Sequence, residues 1–117
     1  MHDEELELDI NELDFEQQLQ IIMQYPKKIK QIKRPSEKLQ MASLEASSFL
    51  SIQHIARPTK NVLEKAVREI PWVIKYIQKP SEKLQKIAVK QSPSALQYIK
   101  PGDQNLNAQL LAVKKDG

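Results

Sequence analysis

The sequence contains no cysteine. That excludes a disulfide framework and any thiolate metal site, and it fits a reducing compartment. Glycine is almost as scarce, with only Gly102 and Gly117, so no glycine-rich phosphate loop can be built. Aromatic residues make up 5% of the chain and include a single tryptophan, Trp72. β-Branched and aromatic residues form no alternating runs between turn signals, so strands are not expected. No apolar run is long enough to span a bilayer, and the N-terminus is acidic rather than basic and apolar, unlike a secretory signal. The expectation is a cytoplasmic protein with no membrane partner. His2 and His54 are the only histidines, and neither has a cysteine or second histidine nearby, which disfavours a metal site. No serine stands beside a base or an oxyanion glycine. The carboxylates lie in the first residues or at helix starts. The chain is therefore read as non-enzymatic, without a cofactor and without a small-molecule substrate.

What is present is a repeat. Pro-Ser-Glu-Lys-Leu-Gln occurs at Pro35–Gln40 and again at Pro80–Gln85, 45 residues apart, with a weaker copy starting at Pro58-Thr59. A short fixed period of this kind marks stacked supersecondary units. Proline stops the preceding helix. The hydroxyl that follows (Ser36, Thr59 or Ser81) caps the next one. Asp14 extends the series, so the four caps are spaced by 22, 23 and 22 residues. Halfway along each period comes a second start, at Pro26, Pro71 and Pro93, with Ser92 as a further cap and Ser48 holding that place where proline is missing. All seven prolines fall at predicted helix ends. Each period reads as helix A, tight turn, helix B and a proline stop. The expected fold is all-α: an α-solenoid of about four stacked helical hairpins with a period of about 22 residues, plus a terminal helix.

Helix A faces are predicted from Phe15–Gln24 onward and helix B faces from Pro26–Arg34 onward. Their inward columns include Ile29, Ile52, Ile74 and Leu96, and Ile32, Ile55, Ile77 and Ile99. The last segment realigns so that Ala112-Val113 matches Ala88-Val89, with Asn105 and Asp103 as competing caps. A lone final helix could close the stack or leave Leu106 and Leu110 exposed.

Charge divides the chain. Residues 1–16 hold eight acids and no lysine or arginine, while the remainder carries 18 bases and seven acids, a balance of +11. The organisation expected is an acidic leader, residues 1–13, before a helical-repeat domain, residues 14–117. Leu6, Ile10 and Leu13 share one helical face, which leaves two alternatives, a frayed tail or a short amphipathic helix over the first repeat. A leader of this charge is expected to dock on the basic body and to be released by salt.

Two features bear on partners. Arg34, Arg57, Lys79 and Lys100 each precede a proline. They read either as pairs for helix C-termini or as a basic ridge that tracks phosphates. On helix B one column runs Gln31, His54, Tyr76, Tyr98, and one turn earlier stand Lys27, Leu50, Trp72 and Ser94. A core position would not accept lysine in one repeat and tryptophan in the next. The column is read as a solvent-facing binding site made of Leu50, His54, Trp72, Tyr76 and Tyr98, with Lys79 and Lys100 as its charged rim. The partner expected is a protein. Nucleic acid bound by the basic repeat surface is the alternative.

The stretch Ala88-Val89-Lys90-Gln91 with Ala95-Leu96-Gln97-Tyr98-Ile99-Lys100, then Ala112-Val113-Lys114-Lys115-Asp116-Gly117, resembles a family of short tandem helical repeats. These occur in uncharacterised bacterial, bacteriophage and large-virus proteins. The likeness covers roughly residues 35–117 as a repeat match. It departs from the family pattern where Pro71 and Pro93 replace the turn glycine. It implies an α-solenoid and a bacterial or phage source; the extended surface of a repeat stack points separately to a protein partner, and so to an adaptor or an inhibitor of a host protein. It implies no activity and no functional residues.

Overall fold

The computed structural model describes residues 9–116. Among these residues the chain is helical without a strand: α1 (Phe15–Gln24), α2 (Glu37–Ala46), α3 (Lys60–Glu69), α4 (Glu82–Gln91) and α5 (Leu106–Asp116), joined by short 3₁₀ turns. It forms two compact units, Met1–Ala56 and Arg57–Gly117. Within the first, α1 packs on α2 with the Pro26–Gln31 turn against both. Within the second, α3 packs on α4 and α4 on α5, with the Pro71–Tyr76 turn between the first pair and the Pro93–Tyr98 turn between the second.

The helices start where the caps predict. The Asp14 carboxylate accepts from the Gln17 N–H at 2.8 Å, and the Gln17 side chain accepts from the Asp14 N–H at 3.1 Å, a complete capping box. Ser36, Thr59 and Ser81 each accept from the N–H three residues on, at 3.2 Å. Asn105, rather than Asp103, caps α5 by accepting from the Asn107 and Ala108 N–H groups. Asp103 instead ends a 3₁₀ turn of its own, Pro101–Asp103.

The repeated hexapeptide has a second role, carried by its glutamine. Gln40 and Gln85 are buried, at 3% and 2% exposure. The Gln85 amide donates to the Pro80 and Asp103 carbonyls at 2.9 and 2.8 Å and accepts from the Asn105 N–H at 2.7 Å. Gln40 donates to the Pro35 carbonyl at 3.1 Å. Each glutamine thus satisfies a buried amide while binding the proline that opens its own motif.

The B segments are not α-helices. They are 3₁₀ turns of five or six residues: Pro26–Gln31, Leu50–His54, Pro71–Tyr76 and Pro93–Tyr98. Each ends at an isoleucine in extended backbone (Ile32, Ile55, Ile77 or Ile99). A proline follows within three residues, and its ring and missing N–H keep an α-helix from running on. So short a piece favours the tighter i→i+3 pattern. The expected B helix ending at Arg34 therefore stops at Gln31. Arg34, Arg57, Lys79 and Lys100 consequently lie two or three residues beyond the turns rather than in a last helical turn.

Two predicted starts differ. Ser92 makes no cap bond to its turn, and its hydroxyl lies 2.9 Å from that of Ser94. Ser48 does not cap either. It and Phe49 have positive φ, 54° and 71°, and the Ser47 hydroxyl accepts from the Ser51 N–H instead, at 2.9 Å. α1, α3 and α4 reach their turn through one residue and a proline. Here three residues, Ser47 to Phe49, make the link, and two of them absorb the extra length in left-handed backbone.

The core follows most of the predicted columns, with Ile77 and Leu96 only half-buried. Ile22, Ile29, Leu44, Ile52, Val62, Ala66, Val67, Ile74, Leu84, Ala88 and Val89 are buried. The terminal helix buries Ala108 and Ala112 against Val89, Leu96 and Leu111. Val113, aligned with fully buried Val89, is 68% exposed, because no element among the described residues packs on that side of α5. Leu106 and Leu110 are exposed beside it. Of the acidic leader, Ile10–Glu12 forms one 3₁₀ turn with Ile10 buried. Asn11 holds it in place by donating to the Gln31 carbonyl and accepting from the Lys33 N–H. The Leu6 end of its predicted stripe, and His2, lie outside the described residues.

Candidate functional site

The site is best built from the Pro71–Tyr76 turn. Pro71 at the first position sets the turn, and buried Val73 and Ile74 anchor it to the core. In a 3₁₀ helix, side chains at i and i+3 eclipse. Trp72 is thereby aligned with Lys75 rather than with Tyr76, the partner that an α-helical reading assigns. The Lys75 ammonium sits 5.0 Å from the Trp72 ring centroid, 5.2 Å from Tyr76 and 5.9 Å from Tyr98. Trp72 and Tyr76 also meet edge to face, with centroids 6.3 Å apart and planes at 65°. Tyr98 arrives from the Pro93–Tyr98 turn, which packs on the first. One cation is therefore shared by three rings, each contact worth roughly 0.5–1 kcal/mol at an exposed site.

Exposure separates this cluster from the core. Trp72 is 37% exposed and Tyr98 39%, while Lys75 is exposed and Tyr76 half-buried. The ion pairs Lys65–Glu69, Lys83–Glu64 and Lys86–Glu82 do not include Lys75, and among the described residues no carboxylate is paired with it.

The remaining predicted residues fall elsewhere. Leu50 and His54 belong to the unit Met1–Ala56. There they line a shallow cleft of about 480 Å³ with Tyr25, Pro26 and Lys27. Burial first, then the charges of Lys30 and Lys27, hold the His54 imidazole below its ordinary pKa. Lys79, in left-handed backbone with φ 47°, lines a different cleft of about 350 Å³, between Leu63, Ile77 and Leu84. Lys100 is exposed immediately before the Pro101–Asp103 turn. The structure thus gathers Trp72, Tyr76 and Tyr98 and adds Lys75, which the sequence reading missed. The signal available for Lys75 was segment length: a proline-capped segment too short for an α-helix puts i and i+3 in line.

Among the described residues no group of three or more His, Asp or Glu side chains could hold a metal ion. No helix among them is long and apolar enough to cross a membrane. Comparison with family models, curated proteins and solved structures finds no match, so the surface chemistry of the chain carries the functional argument.

Proposed function

We propose that this chain is a non-enzymatic protein-binding module of the helical-repeat, α-solenoid type, a small adaptor or a phage- or bacterium-encoded inhibitor of a host protein. The observation that carries the reading is the Trp72–Lys75–Tyr76–Tyr98 cluster. Accessible tryptophan and tyrosine side chains are enriched in binding hot spots. The repeat supports it too, because stacked turns present extended surfaces suited to macromolecular partners. The alternative, nucleic acid, draws on the basic balance of the body.

Affinity capture from the source cell, with wild-type and Trp72→Ala baits compared by quantitative mass spectrometry, tests the reading. A protein retained by the wild type and lost with Trp72→Ala is the expected result. Its binding should weaken by about 2 kcal/mol or more. Stability should fall by less than about 1.5 kcal/mol, since Trp72 contributes ring contacts at the surface rather than core volume. Capture dominated by nucleic acid and abolished steeply by salt would favour the alternative.

A further inference from the structure

The Lys75 cluster has a chemical preference that narrows the class of partner, and this step rests on the protein-binding reading. An incoming cation meets a fixed ammonium already seated among the rings, and like charge repels it. A nucleobase needs a free ring face to stack on, and the ammonium lies over Trp72, Tyr76 and Tyr98 at 5.0–5.9 Å. A carboxylate meets neither obstacle. Lysine carries three N–H donors, and among the described residues no carboxylate pairs with the Lys75 ammonium. The exposed parts of Trp72 and Tyr98 remain open to aliphatic side chains. Charge on a larger scale agrees: Arg57–Gly117 contains 12 lysines and arginines against five acids, a balance of +7. Such a field raises the encounter rate of acidic partners.

We propose that the Trp72–Lys75–Tyr76–Tyr98 patch binds an acidic peptide segment of a partner protein. One carboxylate of that segment sits on the Lys75 ammonium. Aliphatic side chains next to it cover Trp72 and Tyr98.

The test uses the full chain and a short fluorescein-labelled peptide that alternates glutamate with leucine or alanine, read by anisotropy. A peptide with lysine in place of glutamate and an oligo-dT strand are the comparison probes. The acidic peptide should bind and the lysine peptide should not. Lys75→Gln and Trp72→Ala should each weaken binding at least about tenfold, and Lys75→Arg should retain it. Lys75 is exposed, so these variants are expected to fold, and circular dichroism checks this. Failure of the wild type to bind the acidic peptide, or equal binding by Lys75→Gln, overturns the acidic preference. Trp72-dependent binding of the lysine peptide overturns that preference too, but leaves the protein-binding reading standing. Oligo-dT binding that is tighter than the acidic peptide and lost in Trp72→Ala overturns both.

Discussion

In the unit Met1–Ala56, the seam between α2 and the Leu50–His54 turn is polar. In the unit Arg57–Gly117, the corresponding seam between α4 and the Pro93–Tyr98 turn is apolar. Ser43 and Ser51, 0% and 1% exposed, hold the places of Ala88 and Ala95, 0% and 2% exposed. The Ser43 hydroxyl lies 2.8 Å from that of Ser51 and donates to the Pro26 carbonyl at 2.9 Å. Each hydroxyl therefore has a hydrogen-bond partner, so their burial is tolerated. The position therefore demands a small side chain, and hydrophobicity is one of two ways to meet that demand. The same unit lacks a proline at its second turn and reaches it through left-handed Ser48 and Phe49. Serine hydroxyls there supply bonds that the proline-led turns do without.

The sharpest way to break this comparison is to place a charge where only size should matter. Ala88→Asp buries a carboxylate with no cationic partner in the seam and should cost about 3–5 kcal/mol. Ala88→Ser should cost less than about 1 kcal/mol, because the Pro71 carbonyl holds the place that Pro26 holds for Ser43. Urea unfolding followed by circular dichroism measures both, and equal losses would refute the register.

A smaller effect tests the polar seam itself. Ser43→Ala leaves the Pro26 carbonyl and the Ser51 hydroxyl without that partner and should cost about 1–3 kcal/mol. Adding Ser51→Ala recreates the Ala88–Ala95 pair of the other unit, so the double variant should lose less than the sum of the singles. Strict additivity would mean that the two hydroxyls act independently.

The smallest expected effect extends the comparison to the surface. His54 holds the place that Tyr76 and Tyr98 hold in the other unit. An unfolded imidazole takes up its proton near 6.5, whereas in the fold burial and the charges of Lys30 and Lys27 delay uptake to lower pH. The unfolded state then binds more protons, so stability falls as pH drops below about 6.5 and is unaffected well above it. His54→Gln should flatten this dependence in pH-resolved unfolding. An unchanged slope would assign it to other groups.

Much of the architecture was legible in the residues because it is local chemistry. Asp14, Ser36, Thr59, Ser81 and Asn105 cap helices through bonds to N–H groups two or three residues away. Proline ends or starts a helix by its own ring geometry. Aliphatic columns such as Ile29, Ile52 and Ile74 declare which side faces inward. Part of the candidate site was legible for the same reason, since a position that alternates lysine, leucine and tryptophan cannot be core.

What the sequence left undecided depends on groups distant along the chain. Whether a six-residue segment winds as an α- or a 3₁₀-helix is settled by packing against both neighbouring helices and by the extended isoleucine that follows. That choice brought Lys75, not Tyr76, into line with Trp72, and it placed Arg34 and Lys79 outside any helix end. Tyr98 joined the cluster only because two turns 22 residues apart in sequence pack together. Gln85 reads as a polar helix residue, yet it is buried because Asp103 and Asn105 come close enough to satisfy its amide. By itself the sequence determined where α1 to α4 begin and which of their faces is apolar, since those depend on bonds within one turn. Only the tertiary structure decided which side chains meet across turns, because such contacts depend on the spacing and pitch of elements folded against one another.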